Sequence, residues 1–338
     1  MLLKLPMADK GVIESLVESI KRGTSVHAYL FEGEKGLKKR EMASYFAMAL
    51  LCQDDDVPCG RCESCLQAMS GNNPDIIRLA LSDITTKKSV GADDIRSIIS
   101  DVYTRPFKAQ KKIYIIEDGD ALTVQAQNAM LKVLEEPPPY AVFIICATNA
   151  ELILPTVRSR SRSVHFAPIA DEKIISYVKE KYPHMADRAD FVASFSAGIL
   201  GRADFICSDE SVMDMRAKSF DFLKALLIAN DEENIFKMCE AFEEYKKDKN
   251  VPFDTSQMML DFMLSFLSDL LHIIGGAKKI CANSDILQEL VSLSSKVSYD
   301  RVFNAMQSVL DTKQMLLRYV NHKASIMKFA LDVFYAEQ

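Results

Sequence analysis

The spacing of apolar residues divides the chain into a first half of alternating strand-like and helix-like segments and a second half with helical spacing only. Short, continuous apolar runs predict buried strands at 28–32, 75–81, 113–116 and 142–147. Apolar positions three and four residues apart predict helices at 38–51, 91–103 and 123–134. Because short apolar strands alternate with helices, we predict a parallel sheet covered on both faces.

After residue 166 the strand-like runs stop and helical spacing continues. This spacing predicts helices at 171–182, 185–195 and 253–274, with one or two more at 299–335. Glycines mark a turn at 198–201 and the end of the long helix at 275–276. We therefore predict an α/β plus all-α protein with three domains: an α/β domain at 1–167, a small helical lid at 168–208 and an all-helical domain at 209–338.

Composition and charge are those of an ordinary globular protein. Apolar residues make up 49% of the 338 residues and charged residues 26%. The net charge of −6 argues against a protein that coats nucleic acid by bulk attraction, so any DNA contact must be a local patch. The first residues lack the apolar core of a secretory signal, and no apolar run reaches the about 18 residues of a membrane span. We expect a cytoplasmic protein that has no membrane partner.

Four of the eight cysteines crowd into one short segment as Cys52, Cys59, Cys62 and Cys65. Two-residue spacers place neighbouring sulfurs on one side of a turn, and four thiolates can surround one tetrahedral ion. Gly60 allows the tight turn between the second and third of these cysteines. Such a closed site has no open position for water, so the segment predicts a structural zinc ion. Unligated or redox-active thiols and an iron–sulfur cluster are the alternatives.

The residues after the first predicted strand read GEKGLKKR and resemble a phosphate-binding loop of the form GxxxxGK[ST]. Gly33, Gly36 and Lys39 fit this pattern. Lys38 stands at the last glycine position, where a side chain hinders close approach of the backbone to phosphate. Arg40 replaces the hydroxyl residue that would ligate Mg²⁺. An unrelated lysine-rich helix start is the alternative interpretation.

Two acidic residues, Glu117 and Asp118, follow the predicted strand at 113–116, where an ATPase carries its second group of site residues. Active ATPases of this kind have aspartate first and glutamate second. The reversed order shortens the carboxylate at the base position by one methylene, which impairs positioning of the attacking water. The alternative interpretation is a solvated strand end without a binding role. Together with the altered loop, these residues argue against hydrolysis and make ATP binding doubtful.

Three segments resemble bacterial DNA polymerase III clamp-loader subunits, which are AAA+ proteins. They are HAYLF at 27–31, the cysteine insert after the next helix, and QNAMLKVLEEPP at 127–138. The resemblance covers 27–166 and implies a P-loop-type AAA+ domain, a helical lid and a C-terminal helical oligomerisation domain called the collar. The family contains ATP-hydrolysing and non-hydrolysing subunits. The altered phosphate loop favours a non-hydrolysing subunit, with an ATP-hydrolysing gamma or tau type as the alternative.

The resemblance also assigns roles to individual residues. Thr148 and Asn149 match the first nucleotide sensor of the family. The second-sensor arginine would fall near Gly201, where it is missing, although Arg202 is adjacent. Residues 159–161 resemble the family's Ser-Arg-Cys motif. In that motif the arginine, here Arg160, reaches into the ATP site of a neighbouring subunit.

Arg158 and Arg162 would supply supporting positive charge near Arg160, and Ser161 stands at the cysteine position of the motif. Without the resemblance, this segment would be interpreted as a solvated basic edge.

The implied partners are gamma or tau and delta subunits in a hetero-pentamer, with the sliding clamp and primed DNA bound through the complex. The chain would then be a component of the DNA polymerase III holoenzyme, whose polymerase reaction is nucleotidyl transfer. A zinc-dependent nucleic-acid binder is a third interpretation. It predicts tight, salt-sensitive DNA binding by the chain alone, which the acidic net charge argues against.

Overall fold

The computed structural model describes residues 10–81, 89–228, 239, 255–317 and 321–335. The chain forms two compact units. The first contains Met1–Ile169 with Ile199–Gly201, and the second contains Ala170–Gly198 with Arg202–Gln338. The helices assigned by sequence to a separate lid fall mostly within the second unit, and the three-domain division stays a prediction.

The first unit is built on a five-stranded parallel sheet with the order β2-β3-β4-β1-β5. Its strands are β1 (Ala28–Glu32), β2 (Ile76–Leu79), β3 (Lys112–Ile116), β4 (Ala141–Ala147) and β5 (Arg162–His165). The first four were predicted from apolar runs. The sequence analysis missed β5 because it is an edge strand of mostly exposed polar residues, without an apolar run.

Helices pack on both faces of this sheet. They are α1 (Lys10–Lys21), α2 (Lys39–Leu50), α3 (Glu63–Met69), α4 (Ala92–Val102), α5 (Val124–Glu135) and the short α6 (Pro155–Arg158). Alternate residues of β1 enter two different cores. Tyr29 and Phe31 pack with α1 and α2, whereas Leu30 packs with α4 and α5. The predicted α/β architecture with both faces covered is confirmed.

The described part of the second unit is helical. Its elements are α7 (Asp171–Lys181), α8 (Ala189–Ser196), α9 (Leu200–Ser208), α10 (Glu210–Ile228), α11 (Thr255–Ile274), α12 (Leu287–Ser294), α13 (Tyr299–Leu317) and α14 (His322–Tyr335), with Leu200 and Gly201 belonging to the first unit. A 3₁₀ segment precedes α8, which begins four residues later than predicted. The first two residues of the helix predicted at 253–274 lie outside the described residues.

Helix α11 is long and apolar enough to cross a membrane by length and composition alone. More than half of that apolar stretch is buried inside the protein. Phe262 and Phe266 are almost completely buried, and Phe262 stacks on Phe195 of α8 with ring centroids 4.3 Å apart. These contacts are those of a core helix.

Candidate functional site

The predicted phosphate loop lies between β1 and α2 and is packed tightly against its own unit. Gly33 has a φ of 147°, and a Cβ there would lie 2.4 Å from the carbonyl oxygen of Phe166, so a side chain cannot be accommodated. The backbone N–H of Gly201 donates to the carbonyl of Gly36 over 2.8 Å. A Cβ on Gly201 would lie only 2.8 Å from the Gly36 Cα. The segment expected to carry a second sensor therefore contacts the loop through backbone atoms.

Lys39 is turned towards the backbone of its own loop. Its Nζ donates to the carbonyl oxygens of Gly33 at 2.5 Å and Glu34 at 2.8 Å, and the residue is only 8% exposed. Burial lowers the pKa of this lysine below its usual value. Lys38, at the glycine position of the pattern, adopts a left-handed φ of 60° that non-glycine residues rarely adopt. The lysine expected to bind phosphate is thus already hydrogen-bonded within the loop.

Arg40, which stands at the hydroxyl position of the phosphate-loop pattern, is paired with both acids after β3. Its guanidinium donates to the carboxylate of Asp118, and its Nε lies 3.6 Å from the carboxylate of Glu117. A second arginine, Arg78 of β2, pairs with Glu117 at 3.3 Å. The other oxygen of Asp118 accepts the backbone N–H of Leu81 at 2.8 Å. The structure therefore brings together the acids and the loop as predicted, and it adds that guanidinium groups neutralise both acids.

Thr148 and Asn149, the residues expected to form the first sensor, lie beside this loop because of the strand register. In the parallel pair β1–β4, Glu32 is opposite Ala147, so the chain leaves both strands side by side. Asp120 accepts hydrogen bonds from the Thr148 backbone N–H at 2.7 Å and hydroxyl at 2.6 Å. It also accepts from the backbone N–H of Asn149 at 3.1 Å. Sequence reasoning missed Asp120, although a third acid two residues after Asp118 was the available signal.

Arg160 follows α6 and is held by three acceptors. Its Nη2 lies 2.7 Å from a carboxylate oxygen of Glu135, the last residue of α5. Its Nη1 donates to the carbonyl of Thr156 at 2.9 Å and to the hydroxyl of Ser159 at 3.3 Å. About a third of the arginine side chain is exposed. Sequence reasoning did not identify Glu135 as a partner of this arginine.

The four clustered cysteines converge as predicted. The sulfur atoms of Cys52, Cys59, Cys62 and Cys65 all lie within 4.8 Å of one another. Backbone N–H groups point at three of these sulfurs at 3.4–3.5 Å. The N–H of Arg61 contributes most to lowering the pKa of Cys59 to about 6. A converging set of four sulfurs, three of them approached by N–H groups, could hold a metal ion.

The cysteine cluster is anchored to the α/β unit on one side. The Sγ of Cys62 caps the start of α3 by accepting the backbone N–H of Cys65. The buried amide of Asn73 donates to the carbonyl of Ser64 at 3.1 Å, which ties α3 to the segment before β2. Lys108 pairs with Glu63 over 2.6 Å. The cluster therefore belongs to the folded unit and is not an appended loop.

A phosphate loop after β1, acids after β3 and a polar pair after β4 define the class of P-loop-type domains, here with altered nucleotide groups. The family described as "DNA polymerase III, delta subunit" matches residues 8–170. The family described as "DNA polymerase III, delta subunit, C terminal" matches residues 217–332. The chain belongs to the family of DNA polymerase III clamp-loader subunits.

The individual relatives include both delta' and gamma/tau subunits. The chain is 27% identical over 313 residues to "DNA polymerase III subunit delta'" of Bacillus subtilis. This alignment covers 92% of this chain and 91% of that protein. It is 29% identical over 265 residues to "DNA polymerase III subunit gamma/tau" of Mycoplasma genitalium, covering 71% of this chain and 43% of that protein. The chain thus spans less than half of this gamma/tau relative.

Among solved structures, a gamma subunit-related protein of DNA polymerase III from Thermotoga maritima aligns with 96% of this chain and 100% of its own. The sequence identity is 19% and the TM-score is 0.45.

Proposed function

We propose that this chain is a delta-prime-type clamp-loader subunit: a non-hydrolysing stator that supplies Arg160 to the ATP site of a neighbouring subunit. Its partners are the gamma or tau and delta subunits of a hetero-pentamer, which loads the sliding clamp on primed DNA in the cytoplasm. The alignment over 91% of the Bacillus subtilis delta' chain supports this subunit type. The observation that carries the proposal is the pairing of Arg40 with Asp118 and Glu117.

In P-loop ATPases, hydrolysis needs a magnesium ion held by a hydroxyl and an acidic residue, and a lysine on the phosphates. Arg40 is a cation with no oxygen donor, and it lies against the acids that would bind the metal. A magnesium ion placed there would meet the positive charge of this guanidinium. Lys39 would also have to give up its bonds to Gly33 and Glu34 before it could contact phosphate. Together, these changes leave the site without the groups that bind magnesium and phosphate for hydrolysis.

The proposed role of Arg160 in the ATP site of a neighbouring subunit is supported by its chemistry and exposure. A guanidinium keeps its charge at any physiological pH and offers donors in a fixed fork that matches phosphate oxygens. Arg160 lies in the turn after α6 and is partly accessible, so it can be delivered to a neighbouring chain. Arg158 and Arg162 flank it and are exposed, and they add positive potential around the same edge. We assign Thr148 and Asn149, which match the family's first sensor, no part in hydrolysis by this chain.

The bound metal is proposed to be zinc with a structural role. Four cysteine sulfurs fill a tetrahedral coordination sphere and leave no position for a catalytic water. When bound, the ion would hold the segment from Cys52 to Cys65 in its turn conformation. The C-terminal helical domain, residues 209–338, is proposed as the collar through which the subunits assemble.

An active gamma/tau-type ATPase is the second candidate, supported by the similarity to gamma/tau relatives over 71% of this chain. The deciding experiment measures ATP turnover by the purified chain alone and by the chain reconstituted with candidate ATPase and delta subunits, clamp and primed DNA. Our proposal expects no turnover by the chain alone and clamp-stimulated turnover that depends on Arg160 in the complex. Magnesium-dependent turnover by the isolated chain would establish the second candidate instead.

A further inference from the structure

The proposed arginine finger is paired with a carboxylate of its own chain. The Nη2 of Arg160 lies 2.7 Å from Glu135, at the end of α5, whereas Nη1 is held by the backbone of Thr156 and the side chain of Ser159. Of these three acceptors, only Glu135 has a charge. Both members of the pair remain partly open to solvent, with 34% of the arginine and 49% of the glutamate side chain exposed.

The position of Glu135 on its helix supports a specific pairing. The C-terminal end of a helix carries partial negative charge, so a carboxylate in the last turn is unfavourable unless a cation lies beside it. Glu135 is the last residue of α5, and the guanidinium of Arg160 supplies that cation. Arg158 and Arg162 belong to the same segment, and within the described residues the structure gives neither a carboxylate partner. Pairing with an acid therefore distinguishes Arg160 from its neighbours.

We propose that Glu135 is a positioning residue that holds the Arg160 guanidinium at rest, so that this bond must break before the guanidinium can stabilise the charge that develops on a neighbour's nucleotide during hydrolysis. The inference rests on the proposed trans role of Arg160. The phosphate oxygens of the neighbouring nucleotide and the carboxylate of Glu135 compete for the same face of the guanidinium. Because the resting bond must break, Glu135 lowers the fraction of complexes in which the finger is engaged, and so slows hydrolysis.

The size of this effect follows from the exposure of the pair. A solvent-exposed ion pair is weak, so releasing it changes an equilibrium by up to about five-fold. A pair of that strength holds the guanidinium before the chemical step and gives way to the negative charge that develops on the γ-phosphate during that step. The step that responds is the chemical one, because the guanidinium acts on charge that develops during phosphoryl transfer.

The test is single-turnover ATP hydrolysis by the reconstituted complex containing wild type, Glu135→Gln or Glu135→Ala. Glutamine keeps a hydrogen-bond acceptor but removes the charge, and alanine removes both. We expect both substitutions to raise the single-turnover rate about two- to five-fold, with the KM for ATP unchanged in steady-state assays of the same complexes. Glu136→Gln, which alters the exposed acid next in the chain, is the matched control and should behave as wild type.

The same substitution in an Arg160→Ala background closes a double-mutant cycle. Glu135→Gln should have no effect there, because the group on which it acts is gone. An unchanged or lower rate in the Arg160-containing complex overturns the role of Glu135, as does an equal effect in both backgrounds. If Arg160→Ala itself leaves hydrolysis unchanged, the trans role proposed above fails instead. Thermal melting of each variant alone verifies that the exposed substitution has not unfolded the chain.

Discussion

The guanidinium of Arg40 donates a hydrogen bond to the carboxylate of Asp118, which joins the first turn of α2 to the end of β3 across 78 residues of sequence. In an ATPase the same two places are joined by a magnesium ion. Here a side chain provides the positive charge permanently. As a result, the two acids after β3 in this P-loop-type domain are paired with guanidinium groups of the same chain.

Replacing Arg40 by threonine should make the stability of the chain depend on magnesium. The substitution leaves Glu117 and Asp118 with one fewer cation, so we expect the free energy of unfolding to fall by at most about 1 kcal/mol, since the pair is partly exposed. Added Mg²⁺ should recover part of this loss. Denaturant unfolding with and without Mg²⁺ measures it, and Arg22→Thr, which removes the exposed pair with Glu18, is the control. No difference between the two variants would refute the role of Arg40 as a built-in cation.

Arg160→Ala should leave assembly of the complex intact. At the ATP site that receives this residue, hydrolysis should fall by about 10³-fold or more, because developing charge on the γ-phosphate loses its guanidinium. Clamp-stimulated ATPase of the reconstituted complex measures the loss. Arg158→Ala, two residues earlier, is the control and should have a much smaller effect. Equal activity of Arg160→Ala and wild type would argue for a different source of the finger.

Metal analysis should find about one zinc ion per chain. Replacing both Cys62 and Cys65 by serine should abolish the bound metal and lower the melting temperature, because the ion holds this segment folded. Cys281→Ser, which changes a cysteine outside the cluster, should retain the metal. Full zinc occupancy in the double variant would show that the sulfurs of this cluster are not the ligands.

Tyr177 should make the chain lose stability at high pH. Burial, together with its hydrogen bond to Asp204 at 2.5 Å, raises the pKa of this tyrosine from 10.0 to about 12. The folded state therefore keeps its proton where the unfolded state has lost it, so the stabilisation is complete below pH 10 and is lost as the pH rises to about 12. Denaturant unfolding at a series of pH values should show this loss in wild type relative to Tyr177→Phe.

The matched control for Tyr177 is Tyr103→Phe, which changes an exposed tyrosine. Its pH dependence of unfolding should follow that of wild type. If Tyr177→Phe and wild type lose stability in parallel between pH 10 and 12, the raised pKa does not contribute to stability.

The buried strands could be predicted from sequence, since burial leaves a continuous apolar run. The strand at Ala28–Glu32 was predicted with the bounds that the structure has, because its first four residues are completely buried. The edge strand at Arg162–His165 was missed because its residues are mostly exposed, so its sequence contains no apolar run. The short α3, with its exposed Leu66 and Met69, was missed for the same reason.

By itself, the sequence determined which residues could do chemistry: the altered phosphate loop, the acids after β3, the four cysteines and the arginine after α6. Only the tertiary structure decided how their charges are balanced, since Arg40 meets Asp118 and Arg160 meets Glu135 through strand order and helix packing. The physical reason is that residue type sets what a side chain can bind, whereas electrostatic interaction depends on distance in space. The distances between residues that lie tens of positions apart in the sequence are fixed only once the sheet has formed.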